Sequence, residues 1–143
     1  MFTEQHRFAM QLAQLSRGWR AELDRRLADL GLSQARWLVL LHLARFDHLP
    51  TQRELAQSVA VEGPTLARLL DSLEAQGLVH RQASPEDRRA KRISLGEPAL
   101  PLIRRIEAIS TQVREELFAG IPEEDLRKCQ QVHARILANL NKR

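Results

Sequence analysis

Apolar residues recur every three or four positions over residues 5–30, where Phe8, Leu12, Leu15, Trp19, Leu23, Leu27 and Leu30 form one stripe. That is the period of an amphipathic helix, and Gly31 supplies a left-handed stop. Ser33 can cap a second helix carrying Trp37, Leu38, Leu40, Leu41 and Leu43. Residues 46–50 read as a connection. Thr51-Gln52-Arg53-Glu54 fits a capping box that opens a short helix ending near Ser58. Residues 59–63 make a turn, and Pro64 suits the first turn of the next helix. That helix, 62–76, directs Leu66, Leu69, Leu70 and Leu73 inward and stops at Gly77. Two helices joined by a tight turn, knitted by Leu55, Ala56, Val59, Leu66 and Leu70, form a helix-turn-helix pattern.

The pattern then turns β-like, in Leu78-Val79-His80-Arg81 and Ile93-Ser94-Leu95, with Ser84-Pro85-Glu86-Asp87 as loop chemistry between them. This predicts a hairpin over 78–95. Helical spacing returns in Leu102, Ile106, Ile109, Val113 and Leu117 (98–119), and in Leu126, Cys129, Val132, Ile136 and Leu140 (123–141). Gly120-Ile121-Pro122 separates the two. The expected fold is mainly α with a small β-hairpin: a winged helix-turn-helix with N- and C-terminal dimerisation helices. Its parts are 1–32, 33–97 and 98–143, within a single compact domain overall. The terminal stripes exceed what so small a core can cover, and a second copy is the simplest cover. Packing within the chain is the alternative.

A length of 143 residues fits one domain, and 43% hydrophobic residues suffice for a core. The net charge of +4 is mild, so its location matters more than its size. Over 79–92 the cations Arg81, Arg88, Arg89, Lys91 and Arg92 face only Glu86 and Asp87, a local +3. A cationic hairpin beside a helix-turn-helix points to double-stranded DNA. Six aromatic residues and no tyrosine argue against base stacking on single strands. One cysteine, Cys129, excludes an internal disulfide and a multi-cysteine metal site, and suits a reducing cytoplasm. The sequence shows neither a signal-peptide pattern nor a membrane-length apolar run. A cytoplasmic protein without membrane contact is expected.

In the second helix of the motif, Glu62, Thr65, Arg68 and Ser72 face away from the apolar side. Thr65 can donate to phosphate or touch a base edge, and Arg68 can reach guanine with two hydrogen bonds. The alternative for Arg68 is a surface ion pair with Asp71. Arg88 suits a narrow, A·T-rich minor groove. Asp87 can hold a neighbouring arginine in a bidentate pair and so fix the tip. We take Arg89 and Lys91 with Thr65, Arg68 and Arg88 as DNA-binding, and Asp87 and Arg92 as bracing the wing, although the residues alone do not divide the wing cations. The histidines (His6, His42, His48, His80, His133) lack metal-ligand spacing. Cys129, on an apolar face, reads as a buried small hydrophobe. No glycine loop cradles phosphate. No catalytic residue, metal or cofactor is expected. Gly18, inside the first helix, is read as room for another backbone or a ligand.

Asp87-Arg88-Arg89-Ala90-Lys91-Arg92-Ile93-Ser94-Leu95 resembles the wing signature of the MarR family of transcriptional regulators. The likeness extends through Leu15-Ser16-Arg17-Gly18-Trp19-Arg20, Leu32–Trp37, Glu62–Asp71 and Leu73–Val79, and is greatest toward the SlyA branch. The resemblance implies a homodimeric winged helix on pseudo-palindromic operators, often released by small aromatic carboxylates. It implies DNA contacts at Thr65, Arg68 and Arg88. Ligand contacts are assigned to Arg17 and Trp37, with Trp19 and His42 beside them; the alternative is that both tryptophans belong to the core. Two departures stand out. Gly96-Glu97-Pro98 replaces a Thr-Glu helix cap, which predicts a looser joint. The N-terminal cysteine of the redox-sensing branch is missing. The expected function is sequence-specific, homodimeric regulation of transcription. The alternative is a winged helix used for protein–protein assembly, against which the cationic wing argues.

Overall fold

A computed structural model describes residues 1–142. The elements in order are α1 (Glu4–Arg26), a 3-10 turn (Ala28–Leu30), α2 (Gln34–Arg45), α3 (Gln52–Val59), α4 (Gly63–Ala75), β1 (Val79–Ala83), β2 (Lys91–Leu95), α5 (Ala99–Leu117) and α6 (Glu123–Leu140). They form two compact units, 1–111 and 112–143.

The apolar period predicts the helices to within a few residues. One difference is at the end of α1. The stripe continues to Leu30, but the α-helix closes at Leu27 and tightens into the 3-10 turn, so Gly31 caps the turn instead. Thr3 caps α1, and His6 reaches back to the Thr3 N–H, a reciprocal box the sequence reading did not detect. Thr51 and Glu54 form their predicted box at 3.0 and 3.1 Å. The strands of the hairpin are longer than the apolar runs suggest. Val79 pairs with Leu95 and Ala83 with Lys91, so Lys91 and Arg92 belong to β2.

The winged core gathers Val39, Leu40, Leu55, Leu66, Leu70, Leu73, Val79 and Ile93, all fully buried, so α2, α3, α4 and both strands share one interior. Each such leucine contributes about 1.5–3 kcal/mol by leaving water. A second cluster joins Leu27, Trp37, Leu41 and Ile106. The hairpin is anchored beyond its own ladder: the Ile93 N–H donates to Pro50 O at 3.0 Å, which ties β2 to the α2–α3 loop.

Gly96 overturns the expectation of a loose wing-to-helix joint. A Cβ there would lie 2.0 Å from Gly77 O, while the Gly96 N–H donates to Leu78 O at 2.8 Å. Two backbone segments meet too closely for any side chain, so the glycine makes the joint tight. Gly18, in contrast, has nothing within 4 Å of where a Cβ would stand.

No residue of α1 is buried, and Phe8, Met10, Leu12 and Leu15 are exposed. In the second unit no residue of α6 is buried, and Val132, Ile136, Leu137 and Leu140 stand open to solvent. Cys129 lies among them and is exposed, not the buried hydrophobe its apolar neighbours suggested. A stripe establishes that a face is apolar, not that the same chain covers it.

Candidate nucleic-acid interface

The site is built from two elements of opposite preference. Pro64 stands in the first turn of α4, so the helix begins without spending a backbone donor there. Leu66, Leu70 and Leu73 fasten its inner side to the core. The outer side then presents Arg68, which is exposed, and Thr65, which is half-buried. Asp71 bonds Arg81 at 2.6 Å, and Arg68 has no hydrogen bond or ion pair among the described residues. The surface ion pair considered for Arg68 is therefore not formed. Ser72, assigned to the outward face, accepts from Arg36 Nε at 2.9 Å and is engaged within the fold.

The wing tip carries Arg88, Arg89 and Lys91, all exposed and without a side-chain partner among the described residues. Arg81 and Arg92, counted in the local +3, are turned inward. Arg92 donates to Leu49 O at 2.6 Å and lies 3.4 Å from both Ser84 Oγ and Glu86 Oε2. Glu86 accepts from the Ser84 hydroxyl at 2.7 Å, which, with Arg92, holds its carboxyl below the ordinary range. Asp87 fixes the tip differently from the expectation. Its Oδ1 accepts the Arg89 backbone N–H at 2.9 Å and its carbonyl accepts from Ala90 N at 3.1 Å. An aspartate at a turn finds a backbone donor two residues on more cheaply than it orders a long guanidinium. The tip is shaped by this turn, and the arginine side chains stay free.

Between α3, α4 and the wing lies an open groove of about 890 Å³. Gln52, Arg53 and Gln57 come from α3, Pro64 and Ala67 from α4, and Arg89 and Lys91 from the wing. Arg53 was missed by sequence reasoning. It is an exposed cation with no partner among the described residues, three residues before the core position Ala56. The signal was the capping box itself, which places Arg53, the second residue of α3, at a solvent-facing helix start.

The residues assigned to a ligand are not gathered by either groove the structure describes. Trp37 is fully buried, and its indole N–H points to Asp24 Oδ1 at 3.4 Å. It belongs to the core, the alternative weighed for it. Trp19 is half-buried. His42 bonds Ser58 at 2.8 Å; burial, with Arg45 and Arg20 nearby, pushes its pKa down. Arg17 is exposed on α1. Among the described residues no cluster of histidine, cysteine or carboxylate could hold a metal ion, and no helix is long and apolar enough to cross a membrane.

Residues 30–90, spanning α2 to the wing tip, match the sequence profile of the MarR family. The transcriptional regulator PA3341 is 67% identical, with 95% of this chain and 99% of that one covered and a TM-score of 0.89. Staphylococcus aureus MepR in its DNA-binding conformation is 22% identical, with 93% and 98% covered and a TM-score of 0.85. In its complex with DNA the figures are 23%, 98% and 99%, and 0.83. CouR from Rhodococcus jostii RHA1, bound to p-coumaroyl-CoA, is 24% identical, with 90% of each chain covered and a TM-score of 0.79. The distant pairs establish a shared fold. The profile match and the near-full-length likeness to PA3341 go further: with its DNA-binding winged helix, this chain belongs to the MarR family of transcriptional regulators.

Proposed function

We propose that this protein is a SlyA-type regulator that binds pseudo-palindromic operators in double-stranded DNA as a homodimer. Its place of action is the cytoplasm. The observation that carries this reading is the set of exposed cations without partners among the described residues on α4 and the wing, Arg68, Arg88, Arg89 and Lys91, of which Arg89 and Lys91 line one groove with Arg53 of α3. In a fold that ties up Arg81, Arg92 and Arg36, cations left without partners mark the face that meets phosphate.

Thr65 and Arg68 read the major groove, and Arg88 enters the adjacent minor groove, favouring A·T-rich flanks. Arg89 and Lys91 contact phosphate, while Arg53 lines the same groove from α3. Asp87 and Arg92 hold the wing in shape. The exposed apolar faces of α1 and α6 are covered by a second copy, which sets two α4 helices against half-sites about one helical turn apart.

A small aromatic carboxylate is the proposed effector, as the resemblance to the MarR family implies; CouR, of the same fold, is bound to an aromatic acyl group carried as a CoA thioester. Arg17 is its carboxylate partner, with His42 on the neighbouring helix. Trp37 contributes only if ligand entry opens the core cluster around it.

Selection of bound duplexes from a random pool tests the reading. Enrichment of an inverted repeat is expected. A single asymmetric half-site would overturn the dimeric reading, and no enrichment would overturn DNA recognition. Binding isotherms with and without salicylate, for wild type and Arg17→Ala, test the effector. An unchanged wild-type isotherm rejects salicylate, and an undiminished response in Arg17→Ala rejects the site.

A further inference from the structure

We propose that Arg81 is a positioning residue that fixes the angle of the wing against the recognition helix, without itself touching DNA. The inference rests on the reading of α4 and the wing as the DNA-contacting pair.

Arg81 lies at the middle of β1, opposite Ile93 of β2. Its backbone N–H donates to Glu74 Oε2 at 3.0 Å. Its Nε and Nη2 donate to Glu74 Oε1 at 3.3 and 2.8 Å, and Nη2 donates also to Asp71 Oδ1 at 2.6 Å. The guanidinium thus spans two residues on adjacent turns of α4, and Asp71 stands one turn beyond Arg68. The side chain is 21% exposed, so these bonds are partly shielded from water. The side chain and the backbone N–H of Arg81 together hold the Glu74 carboxyl below the ordinary range.

The lever arm makes this bond set consequential. From Arg81 the paired strands run on through Gln82, Ala83 and Ser84 to the tip, about 10 Å at the rise of an extended chain. A rotation of about 10° at Arg81 therefore moves the wing tip by about 2 Å, while a hydrogen bond tolerates only a few tenths of an ångström. On the opposite strand, Arg92 and Ile93 fasten the wing to Leu49 O and Pro50 O in the α2–α3 loop. Arg81 is the side chain that fastens it to α4. Without it the wing still forms, but the distance between the major-groove and minor-groove contacts is no longer set.

Two rival roles make opposite forecasts. If Arg81 only neutralised Asp71 and Glu74, removing the Glu74 charge would strengthen DNA binding. If Arg81 contacted phosphate, its removal would lower the slope of log affinity against log salt by about 0.9 for each phosphate it had neutralised.

The test is a double-mutant cycle between Glu74→Ala and Arg88→Ala on the tightest duplex from a random pool, with thermal unfolding to confirm folding. In the wild-type background Arg88→Ala is expected to weaken binding about 5- to 150-fold. In the Glu74→Ala background the same change should cost less than about 3-fold, because the wing tip no longer seats. Glu74→Ala alone should weaken binding despite removing a negative charge. Arg81→Lys carries the test if Glu74→Ala does not fold. One ammonium cannot reproduce the fork, so an intermediate Arg88 effect is expected, with an unchanged salt slope. A full Arg88 effect in the Glu74→Ala or the Arg81→Lys background, or tighter binding by Glu74→Ala, overturns the proposal while leaving DNA recognition standing. Failure of the wild type to bind any duplex overturns both.

Discussion

Replacing Arg92 with methionine separates a structural cation from a DNA-binding one. Methionine keeps the aliphatic stem and removes the guanidinium. The charge-assisted bond to Leu49 O is short, at 2.6 Å, and such bonds contribute about 1.5–3 kcal/mol. The contacts at 3.4 Å to Ser84 and Glu86 are long and add little. The side chain is 28% exposed, so water replaces part of the missing interaction. A net destabilisation of about 1–2 kcal/mol follows, or about 3–8 °C in Tm for a chain of this size. Lys91 neighbours Arg92 on β2 but is exposed and unpartnered among the described residues. Lys91→Met should leave Tm within about 1 °C and lower the salt slope of DNA binding by about 0.9 for each phosphate the lysine neutralises. Thermal unfolding and fluorescence anisotropy at several salt concentrations read both variants. An unchanged Tm in Arg92→Met, together with a reduced salt slope, would refute the division of wing cations into bracing and binding.

The other expectations concern the loop, the joint and the terminal helices. His48 holds Asp47 at 2.9 Å and Glu54 at 3.1 Å, and these hydrogen bonds raise its pKa above the ordinary 6.5 while Asp47 and Glu54 are lowered. The stabilisation is complete below about pH 6.5, provided the carboxylates stay ionised, and is lost as pH rises through the folded value. The stability deficit of His48→Gln should therefore be largest near pH 5.5 and vanish by about pH 8.5; a deficit that grows with pH contradicts this. Gly96→Thr should cost about 2 kcal/mol or more, because its Cβ would meet Gly77 O, and an unchanged Tm would contradict the close approach. Sedimentation at micromolar concentration should give twice 16.4 kDa, with Leu137→Glu shifting toward monomer and exposing Cys129 to a thiol reagent; a wild-type monomer refutes the covered face.

The helices and the turn of the motif were legible because local rules decide them. Ser33, Thr51 and Pro64 mark helix starts whatever the rest of the chain does, and Leu66 and Leu70 keep their period into the core. The wing was legible as a cluster of charge but not as individual roles. Which arginines brace depends on acceptors in other elements: Leu49 for Arg92, forty-three positions away, and Asp71 and Glu74 of α4 for Arg81. Only the fold brings these within hydrogen-bond reach. Trp37 illustrates the same limit. An indole followed by apolar residues can line a pocket or fill a core, and its place against Leu27 and Ile106 is set by a helix about seventy residues away. Gly96 was read from local capping preference, whereas its constraint comes from the Gly77 carbonyl across the hairpin base. Cys129 failed for the converse reason, because apolar spacing cannot say which molecule supplies the cover.

The most direct test of the account compares the wild type with the combined variant Arg68→Ala/Arg88→Ala/Arg89→Ala/Lys91→Ala. The measurement is duplex affinity across a salt series, on the sequence recovered from a random pool. These side chains bond nothing within the fold among the described residues, so the variant should keep the wild-type Tm. It should bind at least about a hundredfold more weakly at low salt, with a salt slope shallower by about two or more units. A folded variant with wild-type affinity and slope would contradict the claim that α4 and the wing tip are the DNA-binding surface.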